Sequence, residues 1–380
     1  MYWRTSRGIS LSYFLLVRLL AIVSLLLPPL ALEAIGVDFE EVGSANGWTE
    51  LRIYNAGAIN RLAWCGATET FLVPLRYGRV QVVNMKTRTI SYVDFGGFLG
   101  RLHCSPDGRY IFDSGMRLAW SPSTLTPLGY GLRYYDTETG QLHTAFEGLY
   151  GLSIAVDPEF VSPQGSYVIG PRSLGPVLTL PGGEGLTVIP PDTLAVKWPV
   201  QAMFWTKDDR WLLAANLTQP TTDLALDIIS TTSRQAKRVR QKSPVPGFTP
   251  FALAADAHIV YYRRGDTPGS WGTLWKLDPA AAAPVFRAFA KNISAYDLSA
   301  DGTLAFTRIF GVRYKGLDDI VAPDAYGTVN VTLPGGKEYM IRKRDVYSVG
   351  SIYISRSGRL VLLDSTTPGE QFSVFARDGN

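Results

Sequence analysis

Few residues of this 380-residue chain have the type and spacing that chemistry needs. Its three histidines, His103, His143 and His258, are too far apart in sequence to ligate a metal from one element. There is no Gly-x-Ser-x-Gly elbow, zinc motif or P-loop, so no catalytic residue, metal ligand or cofactor is assigned. Gly182-Gly183-Glu184-Gly185 and Pro334-Gly335-Gly336-Lys337 lack phosphate-loop spacing and read as turns. The two cysteines, Cys65 and Cys104, occupy equivalent places in adjacent repeats. Bridged cysteines need Cα atoms about 4.4–6.8 Å apart, whereas equivalent points on packed sheets are expected roughly 7–11 Å apart. Two readings stand: a pair of small buried apolar side chains, or a disulfide.

Recognition is the chemistry the composition favours. Five long connections, 115–131, 171–185, 216–223, 263–272 and 309–327, are expected to emerge on one face. They carry Arg117, Trp120, Tyr130, Arg172, Arg263, Trp271, Arg313, Tyr314, Asp318 and Asp319. Trp, Tyr and Arg on a rigid scaffold are the residue types that dominate binding energy. A basic run, Arg234, Lys237, Arg238, Arg240 and Lys242, is expected on an outer strand, where charge discourages pairing with another molecule.

The elements that position these residues follow from a repeat. Cys104-Ser105-Pro106-Asp107-Gly108-Arg109-Tyr110-Ile111 returns at Val161, Leu298 and Ile354, and in weaker form at Cys65, Trp205 and Leu253. The seven copies are spaced by about 40 to 57 residues, near the length of a propeller blade. Pro presets one turn dihedral, Asp bonds the local backbone and Gly accepts a positive φ. Strand–turn–strand signatures follow at Val80–Val93, Leu132–Leu142 and Leu274–Phe286. The expected fold is all-β: a seven-bladed β-propeller of four-stranded antiparallel blades. The last unit is one strand short, and the strand-like Thr49–Asn55 is expected to pair beside Phe372–Ala376 and close the ring. His103 shares its repeat position with Asp297 and Tyr353, near the channel of such a ring.

Through these Ser-Pro-Asp-Gly turns, residues 48–380 resemble the WD-repeat-like and TolB-type propeller families. The resemblance implies architecture alone. No unit has both the Gly-His pair and the terminal Trp-Asp of true WD repeats, and the sialidase-type Asp box is missing.

Residues 1–34 read as a secretory signal peptide. Arg4, Arg7 and Arg18 precede the apolar run Leu19–Leu27, Pro28-Pro29 and a small residue at Ala34. The rival reading is an uncleaved membrane anchor, against which Arg18 costs about 2.5–3.5 kcal/mol near a bilayer centre. Residues 35–47 are expected to be a linker, and residues 48–380 the propeller. Losing residues 1–34 removes three Arg and one Glu from 37 basic and 33 acidic residues, leaving a net charge of +2. That is too little to imply nucleic acid as a partner. The expectation is a periplasmic or secreted scaffold binding a protein or envelope component. The alternative is a propeller enzyme, hydrolase, lactonase or quinoprotein-like, with its site at the channel mouth.

Overall fold

Ser105 to Tyr110 shows how each repeat begins. The Gly108 N–H donates to the Ser105 carbonyl at 2.9 Å with Gly108 at φ +79°. The Ser105 hydroxyl accepts the Tyr110 N–H at 2.9 Å and donates to Asp107 at 2.5 Å. The same closure recurs from Gly165 to Ser162, Gly302 to Ser299 and Gly358 to Ser355. In the copy that lacks glycine, Asp209 takes its place at φ +59°, a conformation that short polar side chains tolerate.

A computed structural model describes residues 39–53, 62–65, 68–120, 125–149, 159–194, 196, 202–217, 224–241, 252–255, 258–263, 272–315, 318–345, 351–364 and 372–377. The expected signal segment and Trp271 lie outside the described residues. Strands β1 (Phe39–Ala45) and β2 (Trp48–Ile53) form a hairpin about Asn46 and Gly47, at φ +53° and +77°. This corrects the expected linker over 35–47: Asn-Gly supplies the two positive φ angles of a two-residue turn.

A first sheet holds β3 (Ala63–Trp64), β4 (Thr70–Pro74), β5 (Arg79–Asn84) and β6 (Thr89–Asp94). The next holds β7 (Arg101–Cys104), β8 (Tyr110–Trp120), β9 (Leu125–Asp136) and β10 (Gln141–Leu149). The third departs from a simple meander. Its strands β11 (Tyr167–Ile169), β12 (Val177–Thr179) and β13 (Gly185–Ile189) lie in the order β11-β13-β12, with β11 and β13 parallel. The expected loop 171–185 thus supplies an outer strand. A fourth sheet is a meander of β14 (Ala202–Trp205), β15 (Trp211–Leu217), β16 (Leu224–Ser230) and β17 (Ala236–Gln241).

The fifth sheet has seven strands. They are β18 (Ala252–Ala255), β19 (His258–Arg263), β20 (Gly272–Leu277), β21 (Arg287–Leu298), β22 (Leu304–Lys315), β23 (Asp318–Thr332) and β24 (Glu338–Asp345). The last adds β25 (Ile352–Ile354), β26 (Leu360–Leu363) and β27 (Phe372–Arg377) to β2 and β1, with Trp48 opposite Arg377 and Ile53 opposite Phe372. Buried Glu50 on β2 faces Arg342 Nε at 3.0 Å and accepts from the Ser373 hydroxyl at 2.9 Å and from Arg344.

Counted as hydrogen-bonded sheets, the described residues make six blades, not seven, and only three of the six are four-stranded. The physical reason is β21. Its first half pairs with β20 and its second half with β22, so two repeat units share one strand. Asn292, at φ +60° beside an irregular register, bends the strand between its two partners.

The sheets succeed one another around a centre. Innermost strand β3 touches β7 and β25, β14 touches β18, and β21 touches β18 and β25. Between β7 and β14, Glu159 is ion-paired to Arg101 and hydrogen-bonded to Trp205. The fold is a β-propeller. Apolar layers fill the spaces between sheets, among them Leu72, Val80 and Ile111, then Phe112, Phe160 and Trp205, and Val329, Ile354 and Phe375. Each such side chain contributes about 1.5–3 kcal/mol by burial. Among the described residues no helix is long and apolar enough to cross a membrane.

Candidate functional site

Inner strands bring ionisable side chains to the centre. Arg101 and His103 come from β7, Glu159 from the connection between β10 and β11, Lys207 from the turn after β14 and Asp297 from β21. Arg101 pairs with Glu159, whose second oxygen accepts the Trp205 N–H at 3.0 Å. The Trp205 indole donates to the Glu159 carbonyl at 2.7 Å. Asp297 accepts the Leu298 and Ile354 N–H groups at 2.8 and 2.9 Å, with Lys207 Nζ 3.9 Å away.

Burial pushes the His103 imidazole down to about 4 against the pull of Glu159, so the ring is neutral at pH 7. Burial opposes ionisation of Glu159, but the Arg101 charge and the Trp205 N–H hold it below the ordinary carboxylate range. Asp297 goes the other way: burial raises it despite Lys207 and two amides. His103 Nε2 is buried without a hydrogen-bond partner.

The Ser-Pro-Asp-Gly turns gather at one end of this channel. Asp209 accepts from Ser162 Oγ at 2.5 Å and from the Gln164 N–H at 2.8 Å, tying one repeat's turn to the preceding one. Gln164 Nε2 donates to the Lys207 carbonyl at 2.6 Å. Arg356, from the β25–β26 turn, donates to Gln164 Oε1. Their two sheets are not neighbours, so this contact crosses the channel.

At the other end the expected loops 115–131 and 309–327 are β-hairpins. Pairing of β8 with β9 continues from Ser114–Leu132 out to Trp120–Leu125, and β22 with β23 from Ile309–Gly327 to Lys315–Asp318. Gly311 makes the second possible: at φ +78°, its missing Cβ would lie 2.7 Å from Ala325 Cα. Arg117 lies opposite Gly129, Arg313 opposite Ile320 and Tyr314 opposite Asp319, while Arg263 ends β19 opposite Thr273. Tyr130 is a correction. It is 5% exposed and packs edge-on against Phe160, because the hairpin has not yet left the inter-sheet layer there. Arg172 pairs with Asp192 at the surface, 2.7 Å apart.

Sequence reasoning missed two aromatic side chains on this end. Tyr77, between β4 and β5, is 85% exposed at φ +63°. Gly78 beside it packs so tightly that a Cβ would lie 2.6 Å from the Gly96 carbonyl carbon. Phe98, 52% exposed, sits in the β6–β7 connection. Arg133 fixes that loop through the carbonyls of Phe95, Gly96 and Phe98, and pairs with buried Asp113. The detectable signal was Tyr77 next to glycine between two strands.

The remaining candidates separate. Cys65 and Cys104 form a disulfide with Cα atoms 4.7 Å apart. The expected 7–11 Å holds for sheet faces; inner strands β3 and β7 converge towards the axis. His143 stacks on Tyr134 at 4.9 Å. Of the basic run, Lys237, Arg238 and Arg240 lie on outer strand β17, where Arg238 makes two 2.6 Å bonds to Asp227; Arg234 precedes the strand, and Lys242 lies outside the described residues. No group of three or more His, Cys, Asp or Glu among the described residues could hold a metal.

No known protein family and no curated protein matches the chain. Solved structures similar to it include hydrazine synthase of Kuenenia stuttgartiensis, at TM-score 0.48 and 12% identity over 80% of this chain and 91% of that one. The Cps50 (Swd1) β-propeller domain of Myceliophteria thermophila has TM-score 0.44 and 11% identity, over 89% and 99%. A gluconolactonase of Xanthomonas campestris has TM-score 0.44 and 11% identity, over 89% and 94%.

Proposed function

We propose that this propeller is an exported binding scaffold that docks a protein or envelope component on the end carrying the two extended hairpins. The observation that carries the reading is that β8 with β9 and β22 with β23 stay paired out to Trp120–Leu125 and Lys315–Asp318, each across one irregularity of register. A two-stranded extension is marginal by itself, so its use lies in what it presents. Arg117, Trp120, Arg313, Tyr314 and Asp318 on the hairpins, with Arg263 and Trp271 at the two ends of the β19–β20 connection, are its contact residues. Tyr77 and Phe98 add exposed aromatic area on the same end.

The interior favours recognition over acid–base catalysis, since both oxygens of Glu159 and of Asp297 are already hydrogen-bonded or ion-paired. Export is supported by the grammar of residues 1–34 and by a disulfide, which persists in oxidising compartments. In this reading β2 closes the ring against β27.

The test joins Met116 to Tyr130, and Phe310 to Tyr326, each through Asn-Gly, and compares cross-linked complexes of native and shortened chains. The expected result is loss of a stoichiometric partner with unchanged thermal unfolding. A partner retained by the doubly shortened chain refutes the assignment of this end.

A further inference from the structure

The channel cluster has a second property, seen by counting donors against acceptors. Its carboxylate oxygens are all engaged: those of Glu159 by Arg101 and the Trp205 N–H, those of Asp297 by two backbone amides. Its donors are not. Lys207 Nζ has three N–H groups, and its ion-pair partner Asp297 lies 3.9 Å away, beyond hydrogen-bond reach. Arg101 offers five N–H groups and its ion pair is to Glu159. His103 Nε2 is buried and unpartnered, and a neutral ring can carry its proton there. Arg101 and Lys207 keep 28% and 26% of their side-chain surface accessible, so these donors can still reach a bound group.

We propose that the channel binds one small oxyanion, a carboxylate or a phosphate, held by Lys207, Arg101 and the His103 ring. A surplus of donors with satisfied acceptors suits an anion; a cation would find no free carboxylate oxygen. Arg356 and Gln164 meet across the channel at the turn end, so the open approach for the ligand is the hairpin end. This site is separate from the docking face and stands or falls independently of it.

The experiment is calorimetric titration of the full mature chain with sodium acetate and, separately, with inorganic phosphate, while His103 ring signals are followed by NMR. We expect one site per chain for at least one anion, with a shift of the His103 signals; which anion binds assigns the ligand class. Lys207→Gln should bind about 10-fold more weakly or worse, whereas Lys337→Gln, in a distant surface turn, should match the native chain. Asp297 keeps both amide partners in Lys207→Gln, and its thermal unfolding reports that the fold is intact. The proposal is overturned if neither anion gives heat or a His103 shift up to about 10 mM, or if Lys207→Gln binds as tightly as the native chain.

Discussion

Replacing Cys65 and Cys104 by alanine removes a cross-link between the innermost strands of two adjacent sheets. The bridge spans 39 residues of sequence. In the chain-entropy account a loop of that length costs the unfolded state about 13 cal/mol/K, or about 4 kcal/mol at 25 °C. A propeller of roughly 340 residues unfolds with an entropy near 0.7 kcal/mol/K, so the melting temperature should fall by about 5 °C. Three variants separate the cross-link from packing: Cys65→Ala, Cys104→Ala and the double substitution. Each loses the same bridge, and they differ only in one small buried side chain, so they should cluster within about 1–2 kcal/mol of one another. Urea midpoints and calorimetric melting are the assays, with the native chain under reductant as a fourth arm. If the single and double variants all stay within about 0.5 kcal/mol of the oxidised native chain, the bridge does not restrict the unfolded ensemble and the reasoning fails.

Two further outcomes rest on the same geometry. The folded state holds the His103 imidazole at about 4, below its ordinary 6.5, so the unfolded chain takes up the proton first. This contribution to stability is full above about pH 6.5 and is lost as pH falls towards 4; in urea midpoints His103→Gln should lack that loss, and a parallel profile would refute it. Tyr77 is strained at φ +63° and buries little, so Tyr77→Asn should keep or raise stability by up to about 1 kcal/mol in thermal melts while weakening partner capture. A clear loss of stability would mean the ring packs where its exposure says it does not.

The turns were the legible part of this chain. Ser-Pro-Asp-Gly prescribes a local hydrogen-bond pattern, and the structure makes it at Ser105, Ser162, Ser299 and Ser355. Even the copy without glycine kept its shape, because Asp209 can adopt the left-handed conformation. What local pattern does not contain is how far a strand continues or which neighbour it chooses. Arg287–Leu298 has only Asn292 where it changes partner, and a single Asn does not distinguish a bend within a strand from a turn, so the joined sheet was not readable from it. Residues 115–131 contain three glycines and two prolines, which speak for a loop; the cross-strand register that makes most of the stretch a hairpin is non-local. The Asn46-Gly47 hairpin, by contrast, was written in two residues and overlooked in a segment too short to suggest a domain. In the channel, His103 and Asp297 could be aligned by repeat position. Arg101, Glu159 and Lys207 sit one or more places off that register and meet only in three dimensions.

The pairing of β2 with β27 has a consequence for biogenesis. Trp48 and Arg377 are neighbours in one sheet but 329 residues apart in the chain. At a synthesis rate of about 5–20 residues per second, the N-terminal hairpin waits roughly 15–65 s for its partner to be made. Until then the earliest-made segment has an open edge, and the sheet that joins β1 and β2 to β25, β26 and β27 cannot assemble. A contact of such high sequence separation makes folding slow and late, since loop-closure entropy must be met before the pairing rewards it. Under the proposed export, that delay is useful: the architecture postpones its own completion until the polypeptide has crossed the membrane.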